Sequence, residues 1–289
     1  MIKGCYVALV TPFRDGQVDL SALEALVDRL VAAGVDGLVP CGTTGESPAL
    51  SDDEHAAVVA AVVRRARGRA RVVAGTGTNC TDKTLRLSRR ALEAGADGLM
   101  LVSPYYNKPT QEGLVRHFST IARESSAPIM LYNIPGRTGV EIAPATLARL
   151  RSEHRNIVAV KHATGNVDGV SELSLMTDLA ILSGDDPLTL PMMSVGAVGV
   201  VSVIGNLVPS DVKGLTDAAL RGDWQVALRL HRKTWRLARA LLTLETNPIP
   251  IKTALAIRGL IAEEFRLPMC PMSAENKSRL SAILQEVPA

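Results

Sequence analysis

Aromatic residues make up only 3% of the 289-residue chain, so its core must be filled with aliphatic side chains. Its four cysteines (Cys5, Cys41, Cys80 and Cys270) form no C-x-x-C pair and lie far apart. That argues against a disulfide framework or a zinc site and suits a reducing cytosol. The opening "MIKGCYVALVTPF" has no apolar region of signal-peptide length. No apolar run reaches the length of about 18 residues that spanning a membrane requires. The expectation is a cytoplasmic protein with no membrane partner. Neither sign of charge dominates, with 32 Lys and Arg against 29 Asp and Glu. The basic residues are scattered except for Arg64, Arg65, Arg67, Arg69 and Arg71. No aromatic residues interleave with that cluster, which argues against a nucleic-acid partner. It reads instead as a solvated helix end, where cations complement the dipole. The five histidines (55, 117, 154, 162 and 231) show no metal-ligand spacing, so no metal site is expected. "GTGTN" at 75–79 lacks the third glycine of a dinucleotide fingerprint. "GTTGE" at 42–46 lacks the Gly-Lys-Ser/Thr of a P-loop.

Hydrophobic residues are plentiful, at 47%, and they are organised. "GVDGLV" (34–39), "GADGLM" (95–100) and "GAVGVV" (196–201) repeat one phrase: a glycine ends a helix and a short apolar strand follows. Eight strands are predicted: Val7–Thr11, Gly37–Pro40, Arg71–Gly75, Gly98–Val102, Pro128–Tyr132, Ile157–Lys161, Ala180–Ser183 and Gly199–Val203. Each is short and mostly apolar, as parallel strands buried on both faces are. Between them lie helical stretches. Leu23, Leu26, Val27, Leu30 and Val31 have amphipathic spacing. Ser21 with Glu24, and Ser51 with Glu54, have capping-box spacing. Alternating strands and helices point to an α/β fold, a (β/α)8 TIM barrel, with a doubly wound sheet as the alternative. The barrel is expected over residues 1–223. Residues 224–289, with Trp224, Leu228, Trp235, Ala238 and Leu242 on one helical stripe, are expected to form a C-terminal helical extension packed on it and not independent.

In such a barrel the loops after the strands form the active face. The distinctive residues fall there: "CGTTGES" (41–47), "SPYYNKPT" (103–110), "LYNIPGRTG" (131–139), "VKHATG" (160–165) and "SGDD" (183–186). Thr43, Thr44, Tyr106, Tyr132, Arg137 and Lys161 should therefore converge on one mouth. Lys161 ends the apolar run "IVAV" and is the candidate nucleophile. An ordinary lysine titrates near ~10.4, and burial favours its neutral form. A neutral amine attacks a ketone to give an imine, an electron sink that yields an enamine carbon nucleophile. The bland alternative pairs Lys161 with Asp185 or Glu141 at the barrel rim. Imine chemistry needs a proton-transfer group within hydrogen-bond reach. Tyr132, on the neighbouring strand, is the candidate, with Thr43 and Tyr106 passing protons to it. Tyr105 reads as a plug of the mouth. The glycines of "GTTGE" expose backbone N–H groups that suit a carboxylate. The planar fork of Arg137 suits a substrate carboxylate too, with a surface salt bridge as its alternative. His231 reads as structural. His162 follows Lys161 directly, so its side chain should point to the opposite face.

These residues resemble the dihydrodipicolinate synthase family within the pyruvate-dependent class I aldolases. The likeness spans essentially the whole chain through "CGTTGESPAL", "GTGTN", "SPYYNKPTQEGL", "YNIPGRTG", "VKHATGN", "LSGDD" and "NPIPIK". The resemblance implies a lyase that joins pyruvate to L-aspartate 4-semialdehyde, giving 4-hydroxy-tetrahydrodipicolinate for diaminopimelate and lysine biosynthesis. It implies that Lys161 forms the Schiff base and Tyr132 donates protons. Thr43 and Tyr106 would complete a relay, with Tyr106 reaching in from a neighbouring subunit. Thr44 would bind the pyruvate carboxylate, Val201 and Gly184 would line the same pocket, and Arg137 would bind the second substrate. It further implies a homotetramer of tight dimers that needs no metal or cofactor. Two positions depart from the pattern. His162 stands where a glutamate is usual. Lys83 stands where lysine-inhibited relatives carry an acid, in a feedback site that also uses positions matching Ser47, His55, Asn79 and Tyr105. A cation there should repel the inhibitor's amine, so weak or absent lysine inhibition is expected.

Two rivals remain at this point. A sister aldolase (N-acetylneuraminate lyase or a 2-keto-3-deoxy sugar acid aldolase) would share Lys161 and Tyr132 but differ at the second-substrate loop. A non-catalytic paralogue would be expected to lose one of those two residues, and this chain keeps both.

Overall fold

A computed structural model describes residues 2–286; Met1 and residues 287–289, the ends of the two expected units, lie outside the described residues. The described residues hold a closed barrel of eight parallel strands. In chain order they are β1 (Gly4–Ala8), β2 (Gly37–Val39), β3 (Arg71–Gly75), β4 (Gly98–Val102), β5 (Ile129–Asn133), β6 (Ile157–His162), β7 (Ala180–Ser183) and β8 (Gly199–Ser202). Each pairs with its sequence neighbour, and β1 closes the ring on β8 through Tyr6 opposite Val201. A two-residue hairpin, Phe13–Arg14 with Gln17–Val18, lies outside the ring.

The strands are nearly continuous apolar runs because both faces are covered. Outward residues such as Leu38, Val72, Leu99, Leu101 and Val160 pack under the helices. Inward residues fill the barrel: Tyr6, Ala8, Val39, Val73, Met100, Met130, Tyr132, Ala159, Leu182 and Val201. The interior is plugged from below by Tyr6, whose ring lies where a side chain on residue 37 would be, 2.1 Å from an added Cβ. Gly37 is therefore required by close approach, not by an unusual φ. Lys161 is two residues beyond Ala159 on β6, so strand alternation sends it to the same inner side.

Most expected strands are found within a residue or two. The first is the exception: it begins at Gly4, three residues before the expected Val7, because Val10 and Thr11 turn out of the ring. The helix Leu20–Ala32 buries Leu23, Leu26, Val27 and Leu30, each side chain worth roughly 1.5–3 kcal/mol. Its N-cap is Asp19, which accepts the Ala22 N–H, so the expected Ser21–Glu24 box does not form. The Ser51–Glu54 box does form, at the start of Asp52–Ala66. At the far end of that helix Arg64 and Arg65 meet Glu24 and Asp28, as a solvated helix end should.

The helix Pro209–Leu220 completes the barrel, and beyond it run Trp224–Thr243, Ile249–Ile257 and Ala274–Gln285. The expected stripe on Trp224–Thr243 is rotated. Ala227, Thr234, Leu237, Ala238 and Leu241 are buried, whereas Trp224, Leu228 and Trp235 are among the exposed apolar residues. Bulk misled the expectation, since the closest helix packing favours the small alanine side. His231 is half-buried, and burial holds its imidazole below the ordinary histidine range. No helix of the described residues is long and apolar enough to cross a membrane.

Candidate active site

The carboxyl ends of the strands surround a cavity of about 350 Å³. Its lining includes Thr43, Tyr132, Arg137 and Asn247, together with Ser47, His55, Lys83 and Tyr105. Tyr132 and Lys161 stand directly opposite each other in the β5–β6 register. Both are only 4% exposed, and the Lys161 Nζ lies 4.1 Å from the centroid of the Tyr132 ring. The Nζ lies over the ring face, where the ring quadrupole attracts a lysine ammonium. The bland alternative for Lys161 fails: among the described residues no carboxylate forms an ion pair with it, neither Asp185 nor Glu141.

That point separates Lys161 from the chain's other buried lysine. Lys252, 0% exposed, has the Glu46 carboxylate 2.5 Å away. Burial pulls the Lys252 ammonium below its ordinary range, and Glu46 opposes that pull. A paired ammonium is held protonated and has no lone pair to offer. Burial is therefore common to both lysines; what separates them is the carboxylate ion pair, which among the described residues only Lys252 has.

The expected convergence is partial. Thr43, Tyr132 and Arg137 reach the cavity, with Lys161 packed behind Tyr132. Thr44 is 2% exposed and meets the wall through Asn247, whose Nδ2 donates to Thr44 Oγ1 at 3.0 Å. Gly184 lies against the stem of Lys161, whose Cγ and Cε would be 3.1 Å from an added Cβ. Val201 sits fully buried inside the barrel. Tyr106 does not join its own chain's cavity. It is 89% exposed, with φ at 74°, a left-handed turn that turns the ring out to solvent. Arg137 is exposed, and one guanidinium nitrogen donates to the Asn247 carbonyl at 3.0 Å, leaving other donors of the fork turned elsewhere. It makes no surface salt bridge among the described residues.

Tyr105 lines the cavity wall and does not plug it. Lys83 also lines the wall and lies 3.8 Å from Asp52. His55 Nε2 meets the Gly75 carbonyl at 2.8 Å while its buried Nδ1 has no partner, and burial lowers its pKa. Asn79 does not line the cavity; its carbonyl accepts from Asn107. His162 points away from Lys161, as alternation requires, and its Nε2 meets Thr164 Oγ1 at 2.8 Å and the Asn166 carbonyl at 3.1 Å.

Three further residues shape the site, each inside a motif singled out above but with partners that the sequence does not reveal. Asn247 bridges Thr44 and Arg137 from the C-terminal segment. Glu46 is bonded to Lys252 from within the turn that carries Thr43 and Thr44. Asp186 accepts from Ser202 Oγ at 2.5 Å, Val203 N at 2.8 Å and Ile204 N at 3.1 Å, tying the loops after β7 and β8. Burial raises its pKa, and those donors, with the Lys161 charge, offset the rise. The partners of each lie far off in the chain or in another loop.

A parallel barrel with a buried lysine packed behind a tyrosine of its carboxyl-end cavity, and no carboxylate ion-paired to it among the described residues, fits the Schiff-base class of aldolase-type lyases. The sequence profile of the Dihydrodipicolinate synthetase family matches residues 1–287. Similar relatives include the 4-hydroxy-tetrahydrodipicolinate synthases of Geobacter sulfurreducens and Geobacter metallireducens. They are 53% and 51% identical to this chain, each over 99% of both chains. The crystal structure of dihydrodipicolinate synthase from Aquifex aeolicus superposes with a TM-score of 0.97 at 49% identity, over 99% of this chain and 98% of that one. The chain belongs to the dihydrodipicolinate synthetase family.

Proposed function

We propose that this enzyme condenses pyruvate with L-aspartate 4-semialdehyde to give 4-hydroxy-tetrahydrodipicolinate, the committed chemistry of diaminopimelate and lysine biosynthesis. The observation that carries the reading is the Lys161 amine, buried, free of any carboxylate ion pair among the described residues and 4.1 Å from the Tyr132 ring centroid. In this reading the amine attacks the ketone carbon of pyruvate, and water leaves to give an iminium. Loss of a proton from the methyl carbon gives the enamine. Tyr132 moves these protons, with Thr43 beside it at the cavity wall. The enamine carbon bonds to the aldehyde carbon of the second substrate, whose oxygen takes a proton to become the hydroxyl. The substrate's own amine then attacks the imine carbon, closes the ring and releases Lys161. One water is lost overall.

Thr44 receives the pyruvate carboxylate through its hydroxyl and amide, and Gly184 and Val201 shape the space around the Lys161 stem. Arg137 takes the carboxylate of the semialdehyde with the donors that Asn247 does not occupy. Tyr106 completes the relay in a neighbouring copy; its 89% exposure and outward turn support that role. A homotetramer of tight dimers in the cytoplasm follows from the same reading; the four free cysteines, two of them buried, suit a reducing compartment. Residues 224–289 are read as an extension that does not fold alone. Support comes from the two side chains it sends into the barrel mouth, Asn247 and Lys252.

The test is to mix the protein with pyruvate and borohydride and weigh it. A mass gain of one reduced pyruvate unit on Lys161, absent in Lys161→Ala, is expected. Turnover with aspartate semialdehyde but not with sugar-acid products is expected alongside it. No adduct on Lys161 would refute the reading.

A further inference from the structure

The chain buries two lysines, and the chemistry above uses one. Lys252, on Ile249–Ile257, is sealed in a cage. Its ammonium lies 2.5 Å from Glu46 Oε1, 4.3 Å from the Phe13 ring centroid and 4.9 Å from that of Phe265. The second Glu46 oxygen accepts the Arg266 backbone N–H at 3.2 Å. Glu46 ends the turn that carries Thr43 and Thr44 and is itself in the left-handed region, at φ 50°. Five residues before Lys252, Asn247 donates to Thr44 and accepts from Arg137. The segment 247–252 thus grips the threonine turn at two points and the Arg137 loop at one.

An ion pair this deeply buried adds little net stability, because desolvation of both ions offsets their attraction. Its geometric constraint is strong, since a single short contact fixes two elements 206 residues apart. The shape of the turn has other supports: Gly45 N donates to the Gly42 carbonyl at 3.1 Å, and Thr11 Oγ1 donates to the Gly45 carbonyl at 2.8 Å. What those bonds leave undetermined is the placement of the turn relative to the C-terminal segment.

We propose that Glu46 and Lys252 are a positioning pair for the keto-acid carboxylate. By clamping the turn to the C-terminal segment they set the Thr44 hydroxyl and amide at the height that the carboxylate requires. The inference rests on the assignment of Thr44 under Proposed function. It makes the C-terminal extension part of the binding site and gives the buried charges a role in affinity, not in folding.

The test is the double variant Glu46→Gln/Lys252→Met, which leaves no buried charge unpaired. Its melting temperature is expected to stay within about 3 °C of wild type, as replacing a buried pair by uncharged groups costs little. The pyruvate concentration for half-maximal borohydride trapping, and the KM for pyruvate, should rise about tenfold. The kcat, and the extent of trapping at saturating pyruvate, should change by less than about threefold. A native-stability double variant with wild-type half-trapping and KM would overturn the proposal. So would kcat and KM losses that merely follow a loss of stability. If the double variant does not fold, Glu46→Asp decides, since it keeps both charges and shortens the reach to Lys252 by one methylene. A rise of about threefold or more in half-trapping is expected, and no rise overturns the pair's role. Failure of the wild type itself to trap pyruvate on Lys161 would instead refute the active-site reading, and this inference with it.

Discussion

Replacing Gly184 by alanine tests the site through a single methyl group. The added Cβ would lie 2.7 Å from the Ala163 Cβ and 3.1 Å from both Cγ and Cε of Lys161, where ordinary contacts begin at 3.4 Å. Neither backbone can retreat easily. Gly184 N donates to the His162 carbonyl at 2.8 Å, and Ala163 N donates to the Asn133 carbonyl at 2.9 Å. The contact with Ala163 can be relieved only by a backbone shift, and the Lys161 stem must give by a few tenths of an ångström as well. Overpacking of this kind costs about 1–3 kcal/mol. For a chain of this size the melting temperature should fall by roughly 3–9 °C. The catalytic effect should be of similar size, since about 1 Å of misplacement costs about 10²-fold and the shift here is smaller. The initial rate of borohydride trapping at saturating pyruvate should therefore drop by about 10- to 100-fold. Parallel melts and trapping time courses on Gly184→Ala would measure both. Wild-type trapping at wild-type stability would refute the claim that Gly184 keeps the Lys161 stem in place.

Tyr132→Phe keeps the ring face over Lys161 and removes only the phenol. Turnover should fall by about 10²- to 10⁴-fold while the pyruvate adduct still forms slowly; an unchanged kcat would remove Tyr132 from proton transfer. L-Lysine should inhibit weakly or not at all because Lys83 occupies the cavity wall beside His55 and Tyr105. Strong inhibition at submillimolar lysine would disprove that reading. Hydrogen bonds from Arg266, then the Ser51 N–H, hold the Glu54 carboxyl at about 2, against an ordinary value of 4.5. Its folded pKa is depressed, so its stabilisation is complete above about pH 4.5 and lost as pH falls toward 2. Denaturant melts at pH 5.5 and pH 3 should show a steeper loss for wild type than for Arg266→Met; parallel losses would contradict the linkage.

Much of this protein was legible without coordinates. The three glycine-led phrases and the short apolar strands stated a parallel barrel, since only strands covered on both faces can be so uniformly apolar. Alternation along a strand is a local rule, so the inward Lys161 and the outward His162 were both readable from "VKH". Helix ends were read less well. Ser21 and Asp19 both suit an N-cap, and the choice depended on where the preceding hairpin left the chain. The Trp224 stripe failed because hydrophobicity does not say which side of a helix a neighbour can approach closely. Convergence of Tyr106 failed because a positive φ at one turn residue redirects its ring outward.

The sequence by itself determined the barrel, the strand that carries Lys161 and the loops around it, because period, burial and turn chemistry act over a few residues. Tertiary structure alone decided which buried lysine stays free. Lys161 and Lys252 are equally plain ammonium groups in the sequence, and burial affects both. Only closure of the barrel and docking of the C-terminal helices bring Glu46 to 2.5 Å from one of them and leave the other facing a tyrosine ring. The Glu46 carboxylate occupies the Lys252 ammonium, whereas among the described residues no carboxylate forms an ion pair with Lys161.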